Sequence, residues 1–414
     1  MDIIIFRYSP RVVMLNNLKK NNTIVIAPEI QKEKYNKFLS QGYKLGNVLF
    51  KEDFILPEII REIRKIQIHH TINSITTLTE EDIVWVALLN DFFTNKKSTY
   101  LSNTLFKDKY FMRSFLIDEV NQPYFRLISS RDEIKKFWKI SKCKKAIIKP
   151  RYGAGSEKMH IILRSDKIDD IDEKFCTGEY LIEDFLNLKN MLTCDGFAIG
   201  KKVVRFYSHE YDELLLNSIT NTKELVVRTN SLYNKNIDIL KIALKESQKV
   251  LSNFAIKNEL TPFHFEWFFD YTKKKFYFCE VGKRFGGAGI PFLIEYAFGI
   301  DILKEYWHLL TKKTLKEQNF KEIIKLEIPS CIACNYAPYT RDGVVKFLPD
   351  VKEFSWTKNI WIFVKVGEKT EKVNSIMKYI LVSEFISNDE REYKKNLKKL
   401  RKLIPSIYGD NKND

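Results

Sequence analysis

Glu266 and Glu280 sit in two aromatic-rich runs, His264-Phe265-Glu266-Trp267-Phe268-Phe269-Asp270 and Lys275-Phe276-Tyr277-Phe278-Cys279-Glu280-Val281, separated by the polar Tyr271-Thr272-Lys273-Lys274. Two such runs around a polar turn predict a β-hairpin. With the turn centred near Lys273, Glu266 lies opposite Glu280. Alternation then puts His264, Glu266 and Phe268 on one face and Phe265, Trp267 and Phe269 on the other. Directly opposed residues have Cβ atoms about 5 Å apart. Two carboxylates there repel unless one is protonated or a cation lies between them. A hard divalent ion with oxygen ligands satisfies the pair, Mg²⁺ in the simplest case and Mn²⁺ as a substitute. The competing reading is an exposed hairpin with a coincidental match, and a one-residue slip would spoil the pairing.

The segment that follows, Glu280-Val281-Gly282-Lys283-Arg284-Phe285-Gly286-Gly287-Ala288-Gly289, runs from an acidic strand end into a glycine-rich loop. Two-residue spacing sets Arg284 on the face of Glu280, where a guanidinium can take phosphate or carboxylate in a bidentate grip. Gly286 and Gly287 allow close approach of backbone to a ligand. Upstream, Ala146-Ile147-Ile148-Lys149-Pro150 reads as a strand ending in a cation. The loop Arg151-Tyr152-Gly153-Ala154-Gly155-Ser156 comes next, and Met159 to Leu163 is the return strand. Glycines leave loop N–H groups free to point at phosphate oxygens. The segment lacks the Gly-Lys-Ser/Thr ending of a Walker loop, and alone it reads equally as a hairpin turn. Tyr180-Leu181-Ile182-Glu183-Asp184-Phe185-Leu186 is an apolar strand turning acidic, whose end can offer backbone groups to a purine edge.

The elements that must position these residues fall into three blocks. In residues 1–100, Ile3 to Phe6 and Thr23 to Ala27 read as buried strands. Pro57 to Ile66 reads as a helix with Ile59, Ile60, Ile63 and Ile66 on one face. Ile72 to Thr77 reads as a strand. Thr79 is expected to cap a helix beginning at Glu80-Glu81-Asp82, with Val84, Ala87, Leu88 and Leu89 inward. Strands alternating with helices predict an α/β layer structure. Residues 101–310 open with helices over Lys109–Asp118 and Asp132–Ile140. They continue mostly as antiparallel strands, with a helix over Ile237–Leu251. Residues 311–414 hold short strands such as Trp361–Val366 and a basic amphipathic helix over Asp389–Leu403, whose apolar stripe is Leu397, Leu400 and Leu403.

In this order the motifs resemble the ATP-grasp superfamily, in its carboxylate–amine ligase branch. The resemblance rests on Lys109, on Lys149-Pro150-x-x-Gly153-x-Gly155-Ser156, on Glu183-Asp184-Phe185-Leu186, on His264-Phe265-Glu266 and on Glu280-Val281-Gly282-x-Arg284-x-Gly286-Gly287. In layout the chain is most similar to the bacterial L-amino-acid ligases. The resemblance implies a mixed α/β and α+β protein. An ATP-grasp nucleotide-binding domain (101–310) would stand between an N-terminal Rossmann-like α/β domain (1–100) and a small C-terminal α+β domain (311–414). It implies that Lys109 and Lys149 contact ATP phosphates under a loop from Gly153 to Ser156. The hinge from Glu183 to Leu186 would face adenine, and Glu266 and Glu280 would hold one or two Mg²⁺ ions. Arg284 and Lys149 would act in catalysis, with His264, Arg284, Gly286 and Gly287 toward the substrate. Two positions depart from the pattern. Gly282 stands where many members carry a metal-ligating Asn. Asn190 stands where an acidic residue binds ribose, a role its amide can still fill.

The activity this implies is ATP-dependent joining of a carboxylate to an amine through an acyl phosphate, with release of ADP and phosphate. The partners would be small-molecule or peptide acids and amines, and homodimers are common among similar proteins. An ATP-grasp carboxylase or purine-type ligase is a second reading. A basic nucleotide- or nucleic-acid-binding protein with weakened catalysis is a third, kept open by Gly282, Asn190 and charge. Lys and Arg number 69 against 53 Asp and Glu, a net charge of +16, which points toward acidic ligands without fixing a fold. Six cysteines are too few for a disulfide scaffold. The short apolar start without a basic leader argues against a signal peptide. No run of about 18 apolar residues predicts a membrane span, and a cytoplasmic setting is expected.

Other motifs carry less. Cys331-Ile332-Ala333-Cys334 has zinc-like spacing but no second pair, so buried ordinary cysteines are expected. His69-His70 read as surface or packing residues, Asp195 as a turn residue before Gly196 in preference to a substrate contact, and Lys394 to Lys402 as a solvated helix face in preference to a surface for an acidic partner.

Overall fold

The computed structural model describes residues 1–18, 22–94, 96–153, 155, 158–188, 190–218, 224–311, 315–316, 319–321, 325–372 and 378–409. Ser156 lies outside these described residues.

The first sheet is parallel, with strands β1 (Asp2–Ile5), β2 (Thr23–Pro28), β3 (Asn47–Lys51) and β4 (Ser74–Thr76) in the order β3-β2-β1-β4. The central strand is apolar at Ile3, Ile4 and Ile5 because both of its faces are covered. Ile3 and Ile5 pack with Ile59, Ile63 and Ile66 of the helix Leu56–His69, and with Val86, Leu89 and Phe93 of the helix Ile83–Thr94. Ile4 and Phe6 turn to the other face and join a cluster with Trp307, whose indole N–H donates to Val13 O at 2.7 Å.

One expectation fails in this region. Thr79 to Asp82 form a turn in which Asp82 N–H donates to Thr79 O at 3.1 Å, and the helix begins at Ile83. Ile83, Val86, Leu89 and Phe93 make the inward stripe, which turns Leu88 outward to 47% exposure. The consequence is that Glu80 and Glu81 leave the helix surface and point elsewhere.

A second sheet is antiparallel, with β5 (Phe125–Ile128), β6 (Lys145–Pro150), β7 (His160–Leu163) and β8 (Tyr180–Asp184) in the order β5-β8-β6-β7. The helix Arg131–Ile140 buries Ile134, Phe137 and Trp138 with it.

The third sheet has eight strands. These are β9 (Asn190–Ile199), β10 (Lys202–Tyr211), β11 (Glu224–Thr229), β12 (Leu260–Asp270), β13 (Lys275–Gly282), β14 (Ile332–Pro338), β16 (Asn359–Ile362) and β18 (Leu381–Ser387), in the order β13-β12-β9-β10-β11-β14-β18-β16. Strands β15 (Gly343–Val344) and β17 (Lys369–Thr370) pair separately. The large sheet is therefore continuous across residue 311. On β12, Phe263, Phe265, Trp267 and Phe269 are buried in one cluster with Leu240, Ala243, Val250 and Leu251 of the helix Ile237–Phe254. The Trp267 indole donates to Ser247 Oγ at 3.1 Å. Truncating so buried an aromatic to alanine costs about 3–5 kcal/mol, which anchors the strand carrying Glu266.

The lysines of the helix Glu390–Arg401 are exposed while Leu397 and Leu400 are buried, and Leu403 opens a separate short helix, Leu403–Tyr408. Cys331 and Cys334 are free, and Cys334 is fully buried. Among the described residues, no helix is long and apolar enough to cross a membrane.

Candidate active site

Strand β12 carries the site between two neighbours. Glu266 is opposed by Glu280 on β13 and by Thr193 on β9, and His264 is opposed by Asp195 on β9. The Glu266–Glu280 opposition comes about differently from the expectation. Beyond the turn the strands pair as Asp270↔Lys275 and Trp267↔Phe278, a register that would set Glu266 against Cys279 and turn Glu280 to the far face. The register shifts between Trp267 and Glu266, so Cys279 is the extra residue of a β-bulge and Glu280 returns to Glu266. The carbonyls of Phe278 and Cys279 accept from Arg113 at 3.4 and 3.0 Å, which holds the bulge from outside the sheet.

The cations arrive from separate segments. Lys109 opens the helix Lys109–Ser114, capped by Asp108, whose carboxylate accepts from the N–H of Tyr110 at 2.9 Å. Lys109 Nζ lies 3.1 Å from Glu280 Oε2 and donates to Gly153 O at 2.5 Å. Burial alone would lower its pKa, but the charges of Glu280 and Glu80 win and raise it, so it stays charged. Asp108 also pairs with Arg151, and Lys109 N–H donates to Arg151 O at 3.1 Å, which ties the glycine loop to this helix. Lys149, at the end of β6, lies 2.6 Å from Glu183 Oε1, and Arg113 lies 2.8 Å from Glu183 Oε2. The Glu183 side chain is thus held by two buried cations. The N–H groups of Asp184 and Phe185 donate to Tyr124 O and Lys145 O.

Arg284 lies at the centre. Its Nε donates to Glu80 Oε2 at 2.7 Å and one Nη to Phe285 O at 2.9 Å. Lys107 holds the other Glu80 oxygen at 3.2 Å. Glu80 is mostly buried, which opposes ionisation, yet Arg284, Lys107 and Lys109 hold its carboxyl far below the usual range. Beside it, Glu280 is also held low, because Lys109 and Lys149 outweigh its burial.

Asp195 is fully buried and serves no turn. It accepts from the Gly286 N–H at 3.0 Å and from Thr193 Oγ1 at 2.8 Å, and it lies 2.8 Å from His264 Nδ1. Burial lowers the imidazole pKa, but the Asp195 charge and hydrogen bonds to Asp195 and Glu266 push it up to about 9. Asp195 thereby ties the glycine loop to β12. A Cβ on Gly286 would stand 2.5 Å from Asp195 Oδ1 and 2.8 Å from His264 Nδ1, so only glycine fits there.

These groups border one cavity of about 480 Å³. Lys109, Lys149, Gly153, Gly155, Glu183 to Leu186, His264, Glu266, Glu280, Arg284, Gly286 and Gly287 all line it. Asn190, exposed at the start of β9, is not among the lining residues. The sequence reading missed Glu80, Glu81, Arg113 and Tyr211. Tyr211 donates to Glu266 Oε1 at 3.3 Å. Nothing in the local pattern around Glu80 signals that it meets Arg284. For Arg113, the one available signal is a charged residue on a helix with Met112 and Leu116 as apolar neighbours. Among the described residues, no three His, Cys, Asp or Glu side chains form a metal cage. The opposed Glu266 and Glu280 supply hard oxygen donors that suit Mg²⁺ when phosphate oxygens complete its shell.

No family model matches the sequence, and no curated protein matches it. Solved structures do. L-amino acid ligase from Bacillus licheniformis superposes with a TM-score of 0.72 at 15% identity, over 97% of both chains. N5-carboxyaminoimidazole ribonucleotide synthetase from Thermotoga maritima gives 0.66 at 16% identity, over 97% of this chain and 98% of that one. The N5-carboxyaminoimidazole synthetase of Staphylococcus aureus, complexed with ADP, gives 0.67 at 14% identity over 96% of both. The chain therefore has the ATP-grasp fold along nearly its whole length, as its motifs lead one to expect.

Proposed function

We propose that the protein is an ATP-dependent carboxylate–amine ligase that forms an amide bond through an acyl phosphate. The observation that supports this best is the convergence on one cavity of Lys109, Lys149, Arg284 and the opposed Glu266 and Glu280, beside an apolar hinge. The resemblance in fold to L-amino acid ligase and to the ribonucleotide synthetases supports it further.

A carboxylate is a poor electrophile, and ATP activates it. A carboxylate oxygen attacks the γ-phosphorus, the bond from that phosphorus to the β,γ-bridging oxygen breaks, and ADP leaves. The amine nitrogen then attacks the acyl carbon. The carbon–oxygen bond to phosphate breaks, phosphate departs with the electron pair, and the nitrogen loses a proton to solvent. Such chemistry needs alignment and charge neutralisation rather than a side-chain nucleophile. Lys109 and Lys149 neutralise phosphate oxygens, and the loop through Gly153 and Gly155 closes on them. Arg284 orients the substrate carboxylate and steadies the phosphoryl group in transfer. Glu266 and Glu280 would hold Mg²⁺, which when bound screens phosphate charge. Cys279 is no nucleophile in this scheme, because burial pushes its thiol far above the usual range.

The test is product analysis with ATP, Mg²⁺ and panels of acids and amines. ADP and phosphate should form in equal amounts, and only when acid and amine are both present. AMP with pyrophosphate, or turnover with bicarbonate in place of the acid, would reject the reading. The reaction joins small-molecule or peptide substrates, and the setting we propose is cytoplasmic.

A further inference from the structure

We propose that the acid accepted at this site carries a bulky apolar side group, lodged against the wall that Phe6 and Leu78 contribute, with its carboxylate at Arg284. The inference rests on the ligase reading and names the substrate class.

In an open parallel sheet, ligands settle outside the carboxyl ends of the strands where the strand order reverses. Here the order β3-β2-β1-β4 reverses between β1 and β4. Phe6 directly follows β1 and Leu78 lies just beyond β4. Both line the cavity, and both belong to one apolar cluster with Leu215 and Leu225 of the large-sheet side. Pro291, at the start of the helix Ile290–Phe298, lines the same space. These walls are distinct from Ile147, Met159 and Phe185, which come from the second sheet and the hinge and suit a purine. The one cavity thus has a second apolar wall, beside the ends of β1 and β4, apart from the wall that suits a purine.

Charge argues against an acidic side group. The lining cations are Lys109, Lys149, Arg284 and His264, and each is already matched by a carboxylate, respectively Glu280, Glu183, Glu80 and Asp195. Glu81 adds another carboxylate to the lining, in contact with the Tyr8 hydroxyl at 2.7 Å. A second substrate carboxylate would meet net negative charge. The +16 surplus of the chain therefore lies outside the cavity and says nothing about this substrate. Arg284 has one Nη without a hydrogen bond to the described residues, which is the donor left for a single carboxylate.

Two measurements test the proposal. Calorimetry with Mg²⁺ and a non-hydrolysable ATP analogue compares leucine, phenylalanine and 4-methylpentanoate with aspartate, glutamate and acetate. The apolar acids should bind at least tenfold more tightly. In turnover assays with a common amine, Leu78→Phe and Leu225→Phe should lower the ratio of kcat/KM for phenylalanine to that for alanine at least tenfold, with the KM for ATP little changed. Equal or tighter binding of aspartate or glutamate would overturn the proposal. So would variants that slow both acids alike. Apolar preference in binding without any ADP formation would uphold the pocket and reject the ligase reading. Turnover without apolar preference would do the reverse.

Discussion

Glu80 and Arg284 are 204 residues apart in the chain, and their side chains meet at 2.7 Å inside the cavity. The carboxylate comes from the turn after β4 of the parallel sheet and the guanidinium from the glycine loop after β13. The pair joins the two halves of the site. Removing the carboxylate leaves the buried Lys107 and the largely buried Arg284 with an unmatched charge. Glu80→Ala should lower the unfolding free energy by about 3 kcal/mol, and Glu80→Gln by about 1 kcal/mol, since the amide still accepts a hydrogen bond. Urea denaturation at neutral pH measures both.

The glycine loop offers a paired comparison. Gly286→Ala drives a Cβ into Asp195 and His264, whereas a Cβ at Gly287 meets nothing within 4 Å. Gly286→Ala should break the Asp195–Gly286 bond and cut ADP formation about a hundredfold, in line with losing an aligned element of a site. Gly287→Ala should cost at least ten times less. Steady-state assays of the two variants side by side decide it.

The opposed glutamates should show themselves in metal dependence. Glu266→Gln and Glu280→Gln should each raise the Mg²⁺ concentration for half-maximal ADP release at least about tenfold, since loss of even a ligand's outer hydrogen-bond partners costs about 10–100-fold in metal affinity. Unchanged Mg²⁺ dependence in both variants would remove them from the metal site. Glu280→Gln should also loosen Lys109, which pairs with that carboxylate at 3.1 Å.

Glu384 gives a pH dependence of the less familiar sign. It is 1% exposed, and burial raises its carboxyl above the usual range. Hydrogen bonds from Asn359 and Tyr296, both at 2.9 Å, and the charge of Arg11 offset this only in part, while Glu295 adds to it. A raised folded pKa for an acid means folding penalises the ionised form. The penalty is absent below the unfolded value near 4.5, grows as pH rises through it, and is complete above the folded value. Glu384→Gln should therefore be more stable than the parent at pH 7, with the difference shrinking toward pH 4. Urea midpoints at the two pH values check this.

Short-range pattern made much of the molecule readable. Two-residue alternation identified the face shared by His264, Glu266 and Phe268, because side-chain direction in a strand depends only on position parity. Apolar runs located β1, β2 and β6, and the 3.6-residue stripe located the helix Leu56–His69. The Glu266–Glu280 opposition was read from a turn centre half a residue off. The bulge at Cys279 restores it, and no residue pattern marks that bulge, since its register depends on the partner strand and on Arg113.

By itself, then, the sequence determined the ordered cations, glutamates and glycine loops, and the strands and helices that carry them, because these follow from local spacing. Only the tertiary structure decided that Glu80 leaves its expected helix to grip Arg284, that Asp195 is a buried anchor for Gly286 rather than a turn residue, and that the Glu183 side chain is clamped by Lys149 and Arg113. Those contacts join segments far apart in the chain. Their physical cause is the need of each buried charge for an opposite partner, and sheet topology, not sequence neighbourhood, selects which partner comes within reach.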